Sequence, residues 1–594
     1  MTREVRLAII AALLMALGAI GIDLGLRAPG AALILAAAIL TAVYVGVVVR
    51  PALLPRDGLL HIRLSGKLRE YAVTSPLQFV MGRGLFTLHH LRQALEAAAV
   101  DWQIKAVMIE IAGLEVGHAT AHELHDLLAR IARAGKRVIA VAAGDNLTPR
   151  EYLIACGANE IIANSDVVMM MLGVSAGNLF LKQALDKLEV QAQVLQWKEY
   201  KGAAETFTRD EMSPALRESV EAVVGDWQQI LVDSIASARK LPSERARELL
   251  NCGFKSAREA RDSGLIDRLG FAADVRAEFD PDGKGEKIIS LPHYLRHLEY
   301  AGDVPRRARI ALIYGVGPVI AGEPPRTGEF LSGEETAREI ARAAVDKRVR
   351  AIVFRVNSPG GSAVGSELVW RAVREAQGRG KPVVVSMGDV AGSGGYYVAM
   401  GAEAIVAEAG TVTGSIGVVY TKFNLSSLMA RLGIRLDFVK SAEVSDALSW
   451  SRAMNQQELK QLDQLMGELY GNFTAKVAEG RKLDPDQAER LAHGRIWSGA
   501  AAKTHGLVDS IGGLSRAIDL AREKAKFDVD EPHELVTYPP PHPLMRLGAT
   551  MGSGDEAPWA VATVARACGV PQNWAPALME LLNTTGALLL CRLF

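Results

Sequence analysis

Apolar positions along the chain form two long runs at the N-terminus and shorter runs elsewhere. Residues 7–22 and 30–49 are almost free of charge, and the second run alone has about the 20 residues that a helix needs to cross a bilayer. A cleaved signal peptide carries a single short apolar region. The pair of runs therefore predicts a membrane anchor over residues 1–56 with one or two transmembrane helices, and a buried helical hairpin is the alternative.

From residue 59 onward, short β-rich runs alternate with stretches of helical periodicity. Residues 105–111 and 137–141 have the composition of buried strands, and residues 120–134 between them carry apolar positions at helical spacing. Residues 350–356, 366–377 and 381–386 repeat the order strand, helix, strand. This alternation predicts βαβ units, a largely parallel sheet and an α/β fold.

The second half of the chain repeats the first at an offset of about 243 residues. Residues 152–161 match residues 397–405 with a one-residue slip, and residues 263–267 match residues 505–509. Two copies indicate a tandem pair of domains, which we place at residues 57–300 and 308–525. A tail with helical character follows over residues 526–594.

Composition and charge narrow the range of partners. Lysine plus arginine and aspartate plus glutamate both number 67, and this balance argues against nucleic acid as a partner. The sequence has no phosphate-binding loop or dinucleotide fingerprint, so we expect no cofactor. His118, His122 and His125 share a helix face and could gather a metal ion. Because no carboxylate recurs at matching spacing, we interpret them as a solvated face and predict no metal site.

Three turns of small residues follow successive predicted strands of the second half. Residues 357–362 read Asn-Ser-Pro-Gly-Gly-Ser, residues 391–396 read Ala-Gly-Ser-Gly-Gly-Tyr, and residues 413–417 read Thr-Gly-Ser-Ile-Gly. Turns at the carboxyl ends of parallel strands converge on one crevice. Ser393, between glycines at a strand-to-helix turn, has the low steric cover that a nucleophile needs. A simple helix N-cap is the alternative.

A base for this serine must come from elsewhere in the chain. Residues 341–446 contain no histidine, but a lysine can act as base when desolvation lowers its pKa. Residues 197–207 of the first half offer Lys198 and Lys201, which spacing alone does not separate. In the duplication, Ser393 aligns with Thr148, which lacks the glycines, and Lys201 aligns near Ser445. These observations predict a composite site, with the base from one half and the nucleophile from the other.

The motifs resemble the long, duplicated form of the signal peptide peptidase A (protease IV) family, peptidase family S49, which is related in fold to ClpP and crotonases. The resemblance covers roughly residues 59–524 and is most specific at residues 200–203, 355–362, 391–396 and 413–417. It implies a set of catalytic and supporting residues: Ser393 as nucleophile, Lys201 in preference to Lys198 as general base, Gly360 and Gly361 as oxyanion-hole backbone, Gly394 as a supporting residue, and Ser415 orienting the lysine.

The resemblance also implies a function and a setting. The implied function is that of a membrane-bound serine endopeptidase, without cofactor, that degrades cleaved signal peptides and other small or unfolded apolar peptides. The implied assembly is a homotetramer at the bacterial inner membrane, with its catalytic domains on the periplasmic side. A crotonase-like acyl-CoA enzyme and a membrane scaffold with a decayed site are the alternatives. The presence of both the serine and the lysine argues against a decayed site.

Overall fold

The computed structural model describes residues 54–71, 87–301, 308–325, 328–528 and 531–540. The anchor predicted for residues 1–56 lies outside these ranges except for its last three positions, and the tail from residue 541 also lies outside them. Among the helices within the described ranges, none has both the length and the apolar character required to cross a bilayer.

The first half contains a six-stranded sheet, a three-stranded sheet and the helices that cover them. In chain order the elements are Gly58–Lys67 (β1), Leu88–Val100 (α1), Ile104–Glu115 (β2), His118–Arg133 (α2), Arg137–Ala142 (β3), Asn146–Leu147 (β4), Pro149–Ala155 (α3), Glu160–Ala163 (β5), Val168–Met171 (β6), Lys182–Lys187 (α4), Gln191–Gln196 (β7), the 3₁₀ turn Gly202–Ala204, Glu205–Thr208 (α5), Pro214–Arg239 (α6), Ser243–Leu250 (α7), Gly253–Ser256 (β8), Ala257–Asp262 (α8), Arg268–Leu269 (β9), Ala272–Phe279 (α9), Ile288–Ser290 (β10) and Leu291–Ala301 (α10).

The second half contains an eight-stranded sheet and its covering helices. In chain order the elements are Ala308–Val316 (β11), Val319–Ile320 (β12), Leu331–Ser332 (β13), Gly333–Val345 (α11), Val349–Ser358 (β14), Ala363–Gly378 (α12), Val383–Gly392 (β15), Gly394–Tyr397 (α13), Ala404–Ala407 (β16), Val412–Gly414 (β17), Val419–Asn424 (β18), Ser426–Arg431 (α14), Gln456–Arg481 (α15), Pro485–Leu491 (α16), Ile496–Ser498 (β19), Gly499–Thr504 (α17), Ser510–Ile511 (β20), Leu514–Lys524 (α18) and His533–Tyr538 (β21).

The two large sheets have the same strand order. The first runs β10-β1-β2-β3-β5-β9, and every neighbouring pair is parallel. The second runs β21-β11-β14-β15, with β16 beside β15 and β20 beside β16. The segments predicted as strand, helix and strand in each half form β2-α2-β3 and β14-α12-β15. The structure thus confirms the predicted α/β class, and the shared strand order fits a duplicated unit.

Equivalent side chains also make equivalent contacts in the two halves. The Tyr152 hydroxyl donates to the carbonyl oxygen of Leu265 at 2.6 Å, and the Tyr396 hydroxyl donates to that of Leu507 at 2.9 Å. Both tyrosines are buried, so each hydroxyl needs a partner inside the protein. The second half therefore preserves the internal packing of the first, although its site chemistry differs.

The beginning of the predicted helical tail is a strand. Residues 533–538 form β21, which pairs in parallel with β11 over its whole length. β21 occupies the edge position that β10 holds in the first sheet. The prediction is wrong for this segment because the edge of β11 offers unpaired backbone groups, and pairing with them decides the conformation of so short a run.

A buried ion cluster joins the two halves beneath the ends of β14 and β15. The Arg355 side chain on β14 is only 1% exposed, and its guanidinium donates to Glu70 and Glu123 of the first half. A further guanidinium hydrogen bond, of 2.9 Å, reaches the Ser386 hydroxyl. Buried charges are tolerated only when they are paired and hydrogen-bonded in this way. The positive charge of Arg355 in the second half is therefore balanced by two carboxylates of the first half.

The second half also caps a helix of the first. α2 begins after Gly117, which has no side chain to cap it. Asp389 of β15 accepts hydrogen bonds from the Thr120 backbone N–H at 2.9 Å and from its hydroxyl at 2.7 Å. A carboxylate at this place satisfies a free N–H and favours the positive end of the helix. This contact fixes α2 to the strand that ends immediately before Ser393.

Replacing Arg355 with methionine tests the buried ion cluster. Arg355→Met leaves two carboxylates buried without their cation, so we expect the free energy of unfolding to fall by about 3–5 kcal/mol. Urea denaturation of the full-length protein, followed by tryptophan fluorescence, measures this loss. The control is Arg371→Met, which removes an exposed ion pair with Glu375 and should cost less than about 1 kcal/mol. Equal losses in the two variants would contradict the structural role of the cluster.

Candidate active site

Ser393 lies in a strained turn between β15 and α13. Its backbone has φ 54° and ψ −119°, a conformation that costs a non-glycine residue about 1–3 kcal/mol and is concentrated at functional sites. Its N–H donates to the carbonyl oxygen of Gly414 at 2.9 Å. The hydroxyl makes no capping hydrogen bond to α13. The alternative of a simple N-cap is therefore not supported.

The turn that follows β14 packs directly against Ser393. Gly360 has φ 102°, and a Cβ atom placed on it would lie 2.7 Å from the Cβ of Ser393. Gly361 has φ 147°, and a Cβ there would lie 2.3 Å from the carbonyl oxygen of Val319. Any side chain at either position would force these segments apart. The double glycine is thus required for the close approach of the two turns.

The backbone donors of these turns differ in their availability. The Gly360 N–H donates to the Ser358 hydroxyl at 3.2 Å. Within the described residues, the N–H groups of Gly361 and Gly394 donate to no protein acceptor. A Cβ placed on Gly394 would lie 3.1 Å from the Gly361 nitrogen, so the two groups are neighbours. Two adjacent free donors beside a serine can stabilise a developing oxyanion, and Gly360 supplies the space.

Lys201 reaches this site from the first half of the chain. The strand β7 pairs antiparallel with β18 of the second half over six residue pairs. Beyond the strand, the Trp197 N–H donates to Val418 at 3.0 Å, and the Tyr200 N–H donates to His493 at 3.0 Å. The segment that carries the lysine is therefore held to the second half by its own backbone.

The Lys201 side chain is buried among residues of the second half. Only 4% of Lys201 is exposed. The Lys201 side chain fits here because Gly494 has no side chain. A Cβ atom on Gly494 would lie 2.5 Å from the Cβ of Lys201. The Nζ atom donates to the carbonyl oxygen of Ser415 at 2.6 Å and to the Ser415 hydroxyl at 2.9 Å. Two hydrogen bonds to Ser415 therefore fix the position of the Lys201 amine.

Burial lowers the pKa of Lys201 from 10.5 to about 7, because the charged form loses its hydration. Within the described residues, no carboxylate lies in ion-pair range of this amine to restore the charge. A neutral amine has two N–H bonds and one lone pair. Ser415 accepts from both bonds, so the lone pair remains free to take a proton.

Ser415 connects the lysine to the serine turn. It follows β17, which pairs with the end of β15 so that Gly414 lies opposite Gly392. A Cβ placed on Gly392 would lie 3.6 Å from the Cβ of Ser415. The residue holding Lys201 is thus a direct neighbour of the Ser393 turn. Within one chain, the fold brings together all six residues named from the sequence: Ser393, Lys201, Gly360, Gly361, Gly394 and Ser415.

Lys198 has a different environment. Its side chain is 31% exposed, and its Nζ lies 2.6 Å from Glu489. The same ammonium lies 5.4 Å from the centre of the Tyr470 ring. The Lys198 ammonium is therefore engaged by Glu489 and Tyr470 and is not held by Ser415. The geometry therefore separates the two lysines, which the sequence spacing did not.

The first half fills the equivalent position with a carboxylate. Thr148 caps α3 and forms a capping box with Glu151. The Glu151 carboxylate, which is buried, accepts from the N–H groups of Leu114 at 2.7 Å and Thr148 at 2.8 Å. Leu114 lies near the end of β2 and Thr148 lies directly before α3, whereas Gly361 follows β14 and Ser393 lies directly before α13. Sequence reasoning missed this occupant, although the Thr-x-x-Glu spacing was a visible signal.

The three histidines of α2 do not form a solvated face. His118 stacks on Trp227 with ring centres 4.3 Å apart, and the His122 Nδ1 lies 2.7 Å from a carboxylate oxygen of Glu408 in the second half. The interpretation made from the sequence is wrong because α2 packs between the halves. A single helix pattern does not show which face a distant segment covers.

Comparison with known proteins supports one family. Residues 130–284 and 375–528 match peptidase family S49. Protease 4 of Salmonella typhi is 31% identical, covering 79% of each chain. The chloroplastic serine protease SPPA of Arabidopsis thaliana is 29% identical, covering 76% of this chain and 67% of that protein. A putative signal peptide peptidase SppA of Enterococcus faecium is 32% identical over 32% of this chain and 55% of its own.

Solved structures give weaker likenesses. A point mutant of the membrane-bound stomatin-specific protease 1510-N matches 39% of this chain and 98% of its own, at 14% identity and a TM-score of 0.25. A point mutant of ClpP1 from Listeria monocytogenes matches 37% of this chain and 98% of its own, at 14% identity and a TM-score of 0.23.

Replacing Gly360 with alanine tests the close approach of the two turns. The added methyl group would press on Ser393, and displacement of a reacting group by about 1 Å costs about 100-fold in rate. We therefore expect Gly360→Ala to lower kcat/KM for a fluorogenic apolar peptide by at least about that factor. Gly378→Ala is the matched control, because a Cβ at Gly378 meets no atom within 4 Å. A Gly360→Ala variant of normal rate would refute the packing argument.

Proposed function

The chain belongs to peptidase family S49 and is a serine protease, and on this premise we propose that Ser393 and Lys201 form its catalytic dyad. One observation carries the proposal: Lys201, a buried lysine with a pKa lowered to about 7, is held on Ser415 next to the Ser393 turn. Membership of a peptidase family argues against the alternatives of an acyl-CoA enzyme and a decayed scaffold.

In the first step, the Ser393 oxygen attacks the carbonyl carbon of the peptide bond. The lone pair of Lys201 takes the hydroxyl proton, and the carbonyl electrons move onto the substrate oxygen. The N–H groups of Gly361 and Gly394 donate to this oxyanion. When the tetrahedral intermediate collapses, the leaving amine takes the proton from the Lys201 ammonium, and an acyl-enzyme remains.

The second step regenerates the enzyme with the same groups. Lys201, neutral again, takes a proton from a water molecule that attacks the ester carbon of the acyl-enzyme. The same two N–H groups receive the second oxyanion. Collapse breaks the bond to the Ser393 oxygen, which recovers a proton from Lys201, and the peptide leaves with a new carboxyl group. Ser415 keeps the amine in place through both steps.

The substrate class and the location extend the same proposal. We infer that the enzyme is anchored in the bacterial inner membrane by residues 1–56, acts on the periplasmic side, and degrades cleaved signal peptides and other small or unfolded apolar peptides. The apolar runs at residues 7–22 and 30–49 support the anchor, and the name of the Enterococcus relative supports the substrate. Fractionation of cells and mass spectrometry of peptides that accumulate without the enzyme test both points.

An exposed apolar segment supports assembly into a homotetramer. Residues 432–450 present large apolar side chains to solvent, among them Leu432, Val439, Leu448 and Trp450. Extensive apolar exposure of this kind is typical of a surface that binds another protein. We propose that other copies of this chain cover it. Sedimentation of the full-length protein in detergent tests this assembly, and a monomer under those conditions would exclude it.

Substitution of the two dyad residues tests the mechanism. We expect Ser393→Ala and Lys201→Met each to lower peptide hydrolysis by at least about 1,000-fold, because a nucleophile and its base act as one unit. A fluorophosphonate probe, which reacts with activated serines, should label the wild-type Ser393 turn and neither variant. Lys198→Ala is the matched control and should stay within about tenfold of the wild-type rate. Activity that survives in Lys201→Met and is lost in Lys198→Ala would reassign the base.

The pH dependence tests the state of the lysine. Below its pKa of about 7, Lys201 is protonated and has no lone pair to accept a proton. We therefore expect kcat/KM to rise about tenfold per pH unit on the acid side, and to level off above neutrality. Lys198→Ala should show the same profile. A rate that does not change between acid and alkaline pH would mean that Lys201 is not the base.

A further inference from the structure

A cluster of metal-binding side chains lies between the halves, apart from the serine and lysine. It consists of His122, His125 and Asp126 on α2 and Glu408 at the end of β16, and we call it the α2 cluster. One donor atom from each of the three α2 residues lies within 4.8 Å of the other two. The sequence argument weighed His118 as the third ligand, but His118 stacks on Trp227. In the folded chain, the carboxylates of Asp126 and Glu408 take the place of His118 in the candidate ligand set.

Glu408 gives an independent reason to expect a ligand here. The residue is only 1% exposed, and its Oε2 lies 2.7 Å from the His122 Nδ1. Within the described residues, its Oε1 has no hydrogen-bond partner. Burying a carboxylate oxygen without a partner is costly. A cation would supply the missing partner.

The spacing of the donor atoms suits a small divalent ion. Zinc binds nitrogen and carboxylate oxygen at about 2.0–2.2 Å in a tetrahedron, which places neighbouring ligand atoms about 3.3 Å apart. In the α2 cluster, the Asp126 Oδ1 lies 3.0 Å from the His125 Nδ1, and the Asp126 Oδ2 lies 4.0 Å from the His122 Nδ1. Glu408 adjoins these three residues through its 2.7 Å contact with the His122 Nδ1. Two imidazoles with two carboxylates form a ligand set that zinc accepts.

We propose that the α2 cluster binds a zinc ion that joins the two halves of the chain. Three ligands come from the first half and one from the second. The ion would neutralise two carboxylates and satisfy the free oxygen of Glu408. An ion pair between His122 and Glu408 without metal is the simpler alternative, but it leaves that oxygen without a partner.

The position of the ion indicates a structural role. α2 is capped by Asp389, on the strand that leads to Ser393. Glu408 lies four residues before β17, and its carbonyl oxygen accepts from the Thr411 N–H at 3.0 Å. β17 leads to Ser415, which holds Lys201. The ion would therefore fix the helix and the strand that bracket the composite site, without touching the reacting atoms.

Cobalt(II) spectroscopy on the full-length, tag-free protein tests the proposal. After treatment with a chelator, the wild type should bind Co²⁺ at one ion per chain, with the visible absorption of a tetrahedral site, and Zn²⁺ should displace it. Zn²⁺ alone should raise the melting temperature of the wild type. His125→Ala and Glu408→Gln should lose the cobalt absorption and the thermal shift. His118→Gln, on the same helix outside the cluster, should keep both.

The partly exposed His125 and Asp126 make the test independent of folding. His125→Ala and Asp126→Asn change side chains at the rim, so both variants should show the circular dichroism of the wild type. A wild type without the cobalt absorption would overturn the proposal. Unchanged cobalt absorption in His125→Ala and Asp126→Asn would also overturn it, because the ion would then lie elsewhere. Neither outcome affects the assignment of Ser393 and Lys201.

Discussion

The amine of Lys201 is almost wholly buried, and no described carboxylate balances its charge. A pKa lowered from 10.5 to about 7 corresponds to roughly 5 kcal/mol of lost preference for the charged form. This desolvation is what makes a lysine usable as a base near neutral pH. It exists only while residues of the first half stay docked in the second, since the pocket walls come from Ser415, Gly417 and Gly494. The interface between the halves is therefore part of the proposed active site.

The contacts that secure this interface surround the site. Arg355 shares its charge with two carboxylates from the first half, Asp389 caps α2, and β7 adds to β18. Each contact uses a group from one half to satisfy a group from the other, so separation would leave buried polar atoms without partners. These contacts hold the proposed base and the proposed nucleophile, which are far apart in sequence, at a fixed separation.

The two copies of the fold show how a duplicated unit divides one function. Both have a strand, a polar turn and a short helix at the same place, and both bury the equivalent tyrosine. The second copy keeps glycines there, which leaves two backbone donors free. The first copy has Glu151, whose carboxylate accepts from the donors of its own turn. A filled anion site cannot receive a substrate oxyanion, so in the proposed mechanism the first copy contributes only the lysine and structural support.

The sequence by itself determined the α/β class and the duplication, and its resemblance to peptidase family S49 named the six residues of the proposed site, including Ser393 and Lys201. Strand and helix patterns depend on residues that are close together in the sequence. A Gly-Gly pair marks a place where the backbone can approach another segment closely. Sequence patterns did not show which of Lys198 and Lys201 is the base. They also placed the histidines of α2 on a solvated face and the segment of β21 in a helical tail.

Tertiary structure decided those points because each depends on what a distant segment places beside the residue. Lys201 loses its hydration against Ser415, whereas Lys198 pairs with Glu489. His122 of α2 contacts Glu408 of the second half. β21 forms because it pairs with the edge of β11. Burial, charge partners and edge pairing are properties of the assembled chain, and no local pattern of residues encodes them.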